Sequence, residues 1–215
     1  MGVATRARAV SRRVRQHTHR IGRWPRGGGG SVEPVKQSPQ RDADERILDR
    51  AAALFAQHGF AHTSLRDLAD AAGLSKAGLL HHFPTKEALF DAAIAVGRDR
   101  SRELLDLVAH LPLGAERDRR AVELLTDLAL ERPGLVALAS RSITALATAD
   151  PAIPDHGDGY VFEMFGVAGE TERLARVVGA LGGLVVLCLL ARHRDDRDAW
   201  RGHIVATCLG ALGAP

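Results

Sequence analysis

Aromatic side chains are scarce in this chain, at 4% of 215 residues, and cysteine occurs twice, as Cys188 and Cys208. Two cysteines set in apolar helical patterns supply neither a disulfide framework nor a thiolate metal site, and they suit a reducing cytosol, so a cytoplasmic location is expected. Long hydrophobic runs are missing as well. The most apolar stretch, Val177 to Ala191, is fifteen residues between Arg176 and Arg192. That is short of the ~20 that span a bilayer, so it is expected to be a buried helix, with no membrane partner. The N-terminus is rich in arginine but carries no apolar run of the kind a secretory signal needs. Catalytic signatures are lacking too: there is no GxSxG elbow, no dinucleotide fingerprint, and no set of carboxylates and histidines at metal-ligand spacing. His58 and His62 stand four apart, but Gly59 interrupts the helix between them and no third ligand is evident. No metal, no cofactor and no enzymatic activity are expected.

What is abundant is alanine and leucine. An apolar share of 46% with so few aromatics fits an all-α soluble protein. The length suffices for a module of about fifty residues plus a larger helical domain with a core of its own. The formal net charge of +3 hides an uneven distribution. Residues 1–40 hold nine Lys or Arg against one acid, a balance of +8, which leaves the other 175 residues at −5. With a run of four glycines and three prolines, this segment cannot bury enough surface to offset chain entropy and is expected to be disordered. It reads either as an arm lying along phosphates or as a solvated tail.

The most informative stretch is Ser64 to Phe83, SLRDLADAAGLSKAGLLHHF. Ser64 stands three before Asp67, an acidic form of the capping box that fixes a helix start. Leu65, Leu68, Ala69 and Ala72 follow helical spacing, and Gly73 supplies the backbone freedom a sharp corner needs. Ser75 then caps a second helix anchored by Leu79 and Phe83 on one face. Two short helices joined by a glycine-containing turn form the helix-turn-helix pattern, whose second helix enters the DNA major groove N-terminus first. Small side chains at Ala77 and Gly78 allow close approach, and Lys76, His81 and His82 offer charge or hydrogen bonds. Before this unit, Asp42 to His58 reads as a helix with Ile47, Ala51, Leu54 and Phe55 on one face, ended by Gly59.

These residues resemble the TetR family of bacterial transcription regulators. The likeness is carried by RILDRAAALFAQHGF (Arg46 to Phe60), TSLRDLADAAGLSKAGLLHHF (Thr63 to Phe83) and PTKEALF (Pro84 to Phe90), in the family's order and spacing over about fifty residues. One departure is Leu80, which stands where the family commonly has a tyrosine and cannot donate to a phosphate. The resemblance implies an all-α chain of about nine helices. A DNA-binding domain would occupy 41–90 and a ligand-binding and dimerisation domain 91–215. It implies DNA contacts from Thr63, Ser64, Ser75, Lys76, Ala77, Gly78, Leu80, His81, His82, Thr85 and Lys86. Bases are expected to be read by Lys76, His81 and the small residues, and phosphates to be anchored by Thr63, Ser64, His82 and Lys86.

Beyond Lys86 the chain reads as a long helix to about His110, then helices near Glu116 to Leu130, Leu135 to Thr148 and Tyr160 to Val167, with a loosely built segment around Pro151, Pro154 and Gly157. In the family a ligand pocket lies among these helices, which makes Leu104, Leu107, Leu128, Ser142, Phe162 and Phe165 candidate lining residues for a small hydrophobic effector. Each also reads as ordinary core. The last two helices, Thr171 to Ala191 and Asp198 to Leu212, offer more apolar surface than one helix pair uses. The resemblance implies a two-fold, four-helix homodimer interface there, with Leu174, Val178, Leu181, Val185, Cys188, Trp200, Ile204 and Cys208 as its residues.

The expected function is thus a homodimeric repressor released from a palindromic DNA operator by a small hydrophobic effector. The alternatives are a DNA-binding dimer with no effector and, on the four histidines at 58, 62, 81 and 82, a metal-dependent hydrolase.

Overall fold

Capping decides where the first helices begin and end. The computed structural model describes residues 39–148, 159–167, 171–191 and 196–213, without the side chains of 39–42, 142–148, 197 and 198. Helix α1, Pro39–His58, stops at Gly59, whose φ of +79° closes the last turn at a conformation other residues resist. Helix α2, Leu65–Ala72, starts on the expected box: the Ser64 hydroxyl accepts from the Asp67 amide at 3.2 Å, while the Asp67 carboxylate takes the Ser64 amide at 3.2 Å and its hydroxyl at 2.7 Å. Gly73, at φ +71°, turns the chain, and its amide donates to the carbonyls of Ala69 and Asp70. Helix α3, Lys76–His82, is capped by the Ser75 hydroxyl on the Gly78 amide at 3.0 Å. Helix α4, Lys86–Val108, is capped by Thr85 on the Ala88 amide at 3.0 Å. Each such cap contributes about 1 kcal/mol.

The remaining helices are α5, Ala115–Glu131; α6, Pro133–Thr148; α7, Gly159–Met164; α8, Thr171–Ala191; and α9, Arg197–Leu212, making nine helices and no strand among the described residues. Helix α7 is shorter than the periodicity suggests because Gly166, at φ +61°, bends the chain into a turn after Met164. The basic segment 1–38, the proline-rich stretch 149–158 and the connector 192–195 lie outside the described residues.

Two cores form. The first joins Leu48, Ala51, Ala52 and Phe55 of α1 to Leu68 and Ala69 of α2, Leu79 of α3, Phe83, and Leu89, Ala92 and Ala93 of α4. Leu135 and Leu138 of α6 belong to it as well. Three of the chain's six phenylalanines, Phe55, Phe60 and Phe90, pack beneath the helix-turn-helix with ring centroids 5.0–5.8 Å apart. The second core joins the end of α4 to α5, α7, α8 and α9 through Val108, Val122, Ala129, Met164, Phe165, Val177, Leu184 and Ile204.

Helices α8 and α9 pack against each other and against α5, and this corrects the expected partner-facing set. Leu181, Cys188, Ile204 and Cys208 are buried within their own chain. Val178, Val185 and Trp200 are half-buried, and Leu174 is exposed. The large apolar side chains left outside are Leu174, Val186, Leu189 and Leu190. A helix that is apolar all round gives no clue in its periodicity to which stripe its own chain will cover. At 21 residues α8 is also long and apolar enough to cross a membrane by length and composition, although Val177, Ala180, Leu181, Leu184 and Cys188 lie inside the fold.

Candidate nucleic-acid interface

Helix α3 hangs from the first core by Leu79 and Phe83, four residues apart and both buried. That anchoring turns Ser75, Lys76, Ala77 and His81 outward and leaves Gly78, Leu80 and His82 half-buried. The outward strip therefore carries one ammonium, one imidazole and small or apolar side chains. Gly78 is tight against its own cap: an added Cβ would lie 3.3 Å from Ser75 Oγ, so the capping hydroxyl would have to give way, with Leu74 at 3.8 Å.

Three of the expected phosphate contacts are already engaged within the protein. Thr63 is buried and its hydroxyl donates to the Gly59 carbonyl at 2.7 Å, so it braces the turn into α2. Lys86 Nζ donates to the carbonyls of Phe60 and Thr63 at 2.9 and 3.1 Å and lies 4.3 Å from the centre of the Phe60 ring, clamping the same turn. His82 Nδ1 lies 2.7 Å from Asp44 Oδ1, which ties the end of α3 to α1. Ser64 is exposed, with its hydroxyl committed to the capping box. That box holds the Asp67 carboxyl below its ordinary value of 3.8, first through the Ser64 hydroxyl and then through its amide. Thr85 is exposed beside the N-terminus of α4.

Two residues with no signal in the one-dimensional pattern hold the unit in place. Arg50 of α1 donates to the Ala71 carbonyl at 3.1 Å, capping α2 at the corner, and Asp44 receives His82. Both contacts join positions more than twenty apart.

Of the pocket candidates, Leu104, Leu128 and Phe162 are half-buried and Phe165 is buried against the second core. Leu107 is 52% exposed, because Ser101, Leu105 and Val108 take the inward stripe of α4, and it is withdrawn as a lining residue. The Ser142 side chain lies outside the described residues. Among the described residues no three His, Cys, Asp or Glu side chains gather as metal ligands. Burial pushes the Cys188 and Cys208 thiols up to about 12 and about 11, with Cys208 adding to the effect on Cys188. Both are poor nucleophiles and poor ligands.

Fold and site together define an all-helical protein whose head is a capped helix-turn-helix on a three-helix base. Residues 47–93 match the family described as bacterial regulatory proteins, tetR family. The chain is 51% identical over 45 residues to the HTH-type transcriptional repressor KstR2 of Rhodococcus jostii, which is 21% of this chain and 22% of that protein. It is 43% identical over 61 residues to the HTH-type transcriptional regulator RutR of Escherichia coli, 28% of this chain and 26% of that one. The matched stretch thus spans only about a quarter of these relatives. Over 79% of this chain and 98% of that one, the fold is similar to that of the TetR-family regulator PfmR from Thermus thermophilus, with TM-score 0.51 and 24% identity. A TetR-family regulator from Bordetella parapertussis gives TM-score 0.51 and 21% identity over 80% and 95%.

Proposed function

We propose that the protein is a homodimeric transcriptional repressor acting in the cytoplasm, which binds a palindromic operator through α3 and is released by a small hydrophobic effector. The observation that carries this reading is the capped, anchored α3, whose open strip of Lys76, Ala77 and His81 faces away from the core. Lys76 and His81 read base edges, Ala77 and Gly78 let the helix approach, and exposed Ser75 and Thr85 meet phosphates beside helix N-termini. Two heads must reach major grooves about one turn apart, ~34 Å, and pairing of α8 and α9 across a two-fold axis sets that spacing. Leu174, Val186, Leu189 and Leu190, exposed in the single chain, form the partner-facing strip. In the second core the Thr126 hydroxyl is fully buried with no hydrogen-bond partner among the described residues. An apolar effector carrying one hydrogen-bonding group would satisfy it.

The test is a mobility shift with the DNA flanking the coding region. Lys76→Ala should weaken operator binding by roughly 1–3 kcal/mol and change the preferred sequence; an equal loss on all DNA would make Lys76 a phosphate contact. Val186→Asp with Leu190→Asp should leave a folded monomer in sedimentation. A wild-type chain that is monomeric at micromolar concentration and indifferent to every duplex at low salt would overturn the proposal.

A further inference from the structure

The helix-turn-helix head is short of permanent positive charge. Residues 47–93 hold four Lys or Arg, at 50, 66, 76 and 86, against five Asp or Glu, at 49, 67, 70, 87 and 91, a balance of −1. Arg50 is committed to the Ala71 carbonyl and Lys86 to those of Phe60 and Thr63, while Arg66 stands 3.9 Å from Asp70. Lys76 alone of the four is exposed with no partner among the described residues. Duplex DNA is held chiefly by charge brought to its phosphates, so a head of this composition gains from any further charge it can acquire.

The same segment holds four histidines, at 58, 62, 81 and 82. Histidine is the side chain whose charge changes between about pH 5 and 8. Two of the four are answered by carboxylates of the protein. His82 Nδ1 lies 2.7 Å from Asp44 Oδ1. His58, in the last turn of α1, helps to hold the Asp67 carboxyl down, after the Ser64 hydroxyl and amide. His62 and His81 differ, since both are exposed and neither meets a carboxylate among the described residues. The charged groups around His81 are the His82 ring, 5.9 Å away between centroids, and behind it Asp44 of α1. Helix α2 adds Arg66 and Asp70, which face each other, and Asp67, held in the Ser64 box. Around His62 stand His58 of α1, Asp67 of α2 and the Lys86 ammonium of α4, bound to the carbonyls at 60 and 63 in the same turn. The two rings thus lie at the entry to α2 and on the outward strip of α3.

We propose that the head takes up protons as it binds DNA, on His62 and His81, and that His62 is a phosphate contact. An imidazolium offers two N–H donors and a full charge, where the neutral ring offers one donor and one acceptor. A phosphate oxygen, or guanine O6 or N7 for His81, is matched by the protonated form. The complex then keeps protons that the free chain has released. Affinity is full at low pH and declines as pH rises through the histidine range, by at most about tenfold per pH unit for each proton taken up. The proposal rests on the regulator reading above and adds to it weaker operator binding on the alkaline side of neutrality.

Fluorescence anisotropy of the full chain on the flanking duplex, at fixed ionic strength, tests it. The wild type should bind roughly tenfold or more weakly at pH 8 than at pH 6. Calorimetry at pH 7 in two buffers of different ionisation enthalpy should show net proton uptake on binding. His62→Gln and His81→Gln should each remove about half of the pH dependence and the double variant nearly all of it, with urea midpoints near wild type because both side chains are exposed. His82 and Asp44 are intact in every variant, so a pH effect arising in that pair would persist. His62→Lys keeps a charge at every pH and should bind more tightly than the wild type at pH 8; equal or weaker binding would overturn the phosphate contact. Proton uptake that survives the double variant, or a wild type that binds equally at pH 6 and pH 8, overturns the proposal and leaves the regulator reading in place. A wild-type chain that binds no duplex even at pH 6 and low salt overturns both.

Discussion

Helices α2 and α3 are eight and seven residues long, whereas α8 and α9 run to 21 and 16. Isolated helices of the first length do not form in water. The short pair therefore depends on single groups: the Ser64 box, Gly73, the Ser75 hydroxyl, the Leu79 and Phe83 anchors, and the Arg50 and Asp44 contacts from α1. The long pair spreads its stability over many buried positions, including Val177, Leu181, Leu184, Ile204 and Leu209. Precision in the head comes from hydrogen bonds at named atoms. Robustness in the body comes from buried area.

The comparison is broken most directly at Leu79. Leu79→Ala should cost about 2–5 kcal/mol in urea unfolding and abolish the presentation of α3, while Leu190→Ala on the exposed side of α8 should shift the chain's own stability by less than about 0.5 kcal/mol. Gly73→Ala places a Cβ at φ +71° and should cost about 1–2 kcal/mol, with no comparable penalty for Gly182→Ala in α8, where an added Cβ meets open space. Ser75→Ala should cost about 1 kcal/mol by loss of the α3 cap, and Ser75→Asp should restore most of it.

The pH-dependent effect belongs to the body. Folding raises the Cys188 and Cys208 thiols from 9.0 to about 12 and about 11. The folded state keeps protons that the unfolded chain releases, so stability is fully present below pH 9 and declines as pH rises from 9 through 11, by up to about 1.4 kcal/mol per pH unit for each thiol and roughly twice that for both. Urea midpoints at pH 8 and pH 10 should converge for the double variant Cys188→Ala, Cys208→Ala and diverge for the wild type.

Legibility followed the same division. The capping box, the Gly73 corner and the Leu79 and Phe83 anchors span at most five residues each, so one stretch of chain contains each pattern whole. The internal partners of Thr63, Lys86 and His82, the carbonyls at 59, 60 and 63 and the Asp44 carboxylate, have no local signature because they are chosen by folding. Acidic residues at 45 and 49, one helical turn apart on the inward side of α1, were a signal in retrospect. Charge on a buried row asks for a partner, and the partners are Arg100, Arg132 and the first amides of α6.

Sequence alone determined the helices, the capped ends of those around the helix-turn-helix, and the helix-turn-helix itself, because periodicity, caps and glycine act within a turn or two of chain. Only tertiary structure decided which side of α8 is covered by its own chain, which polar groups around α3 remain open, and that α6 completes the head. Those outcomes depend on pairs such as Asp49 with Gly134 and Arg141 with Ala56, some 85 residues apart. No local pattern encodes a contact whose other half is set by packing.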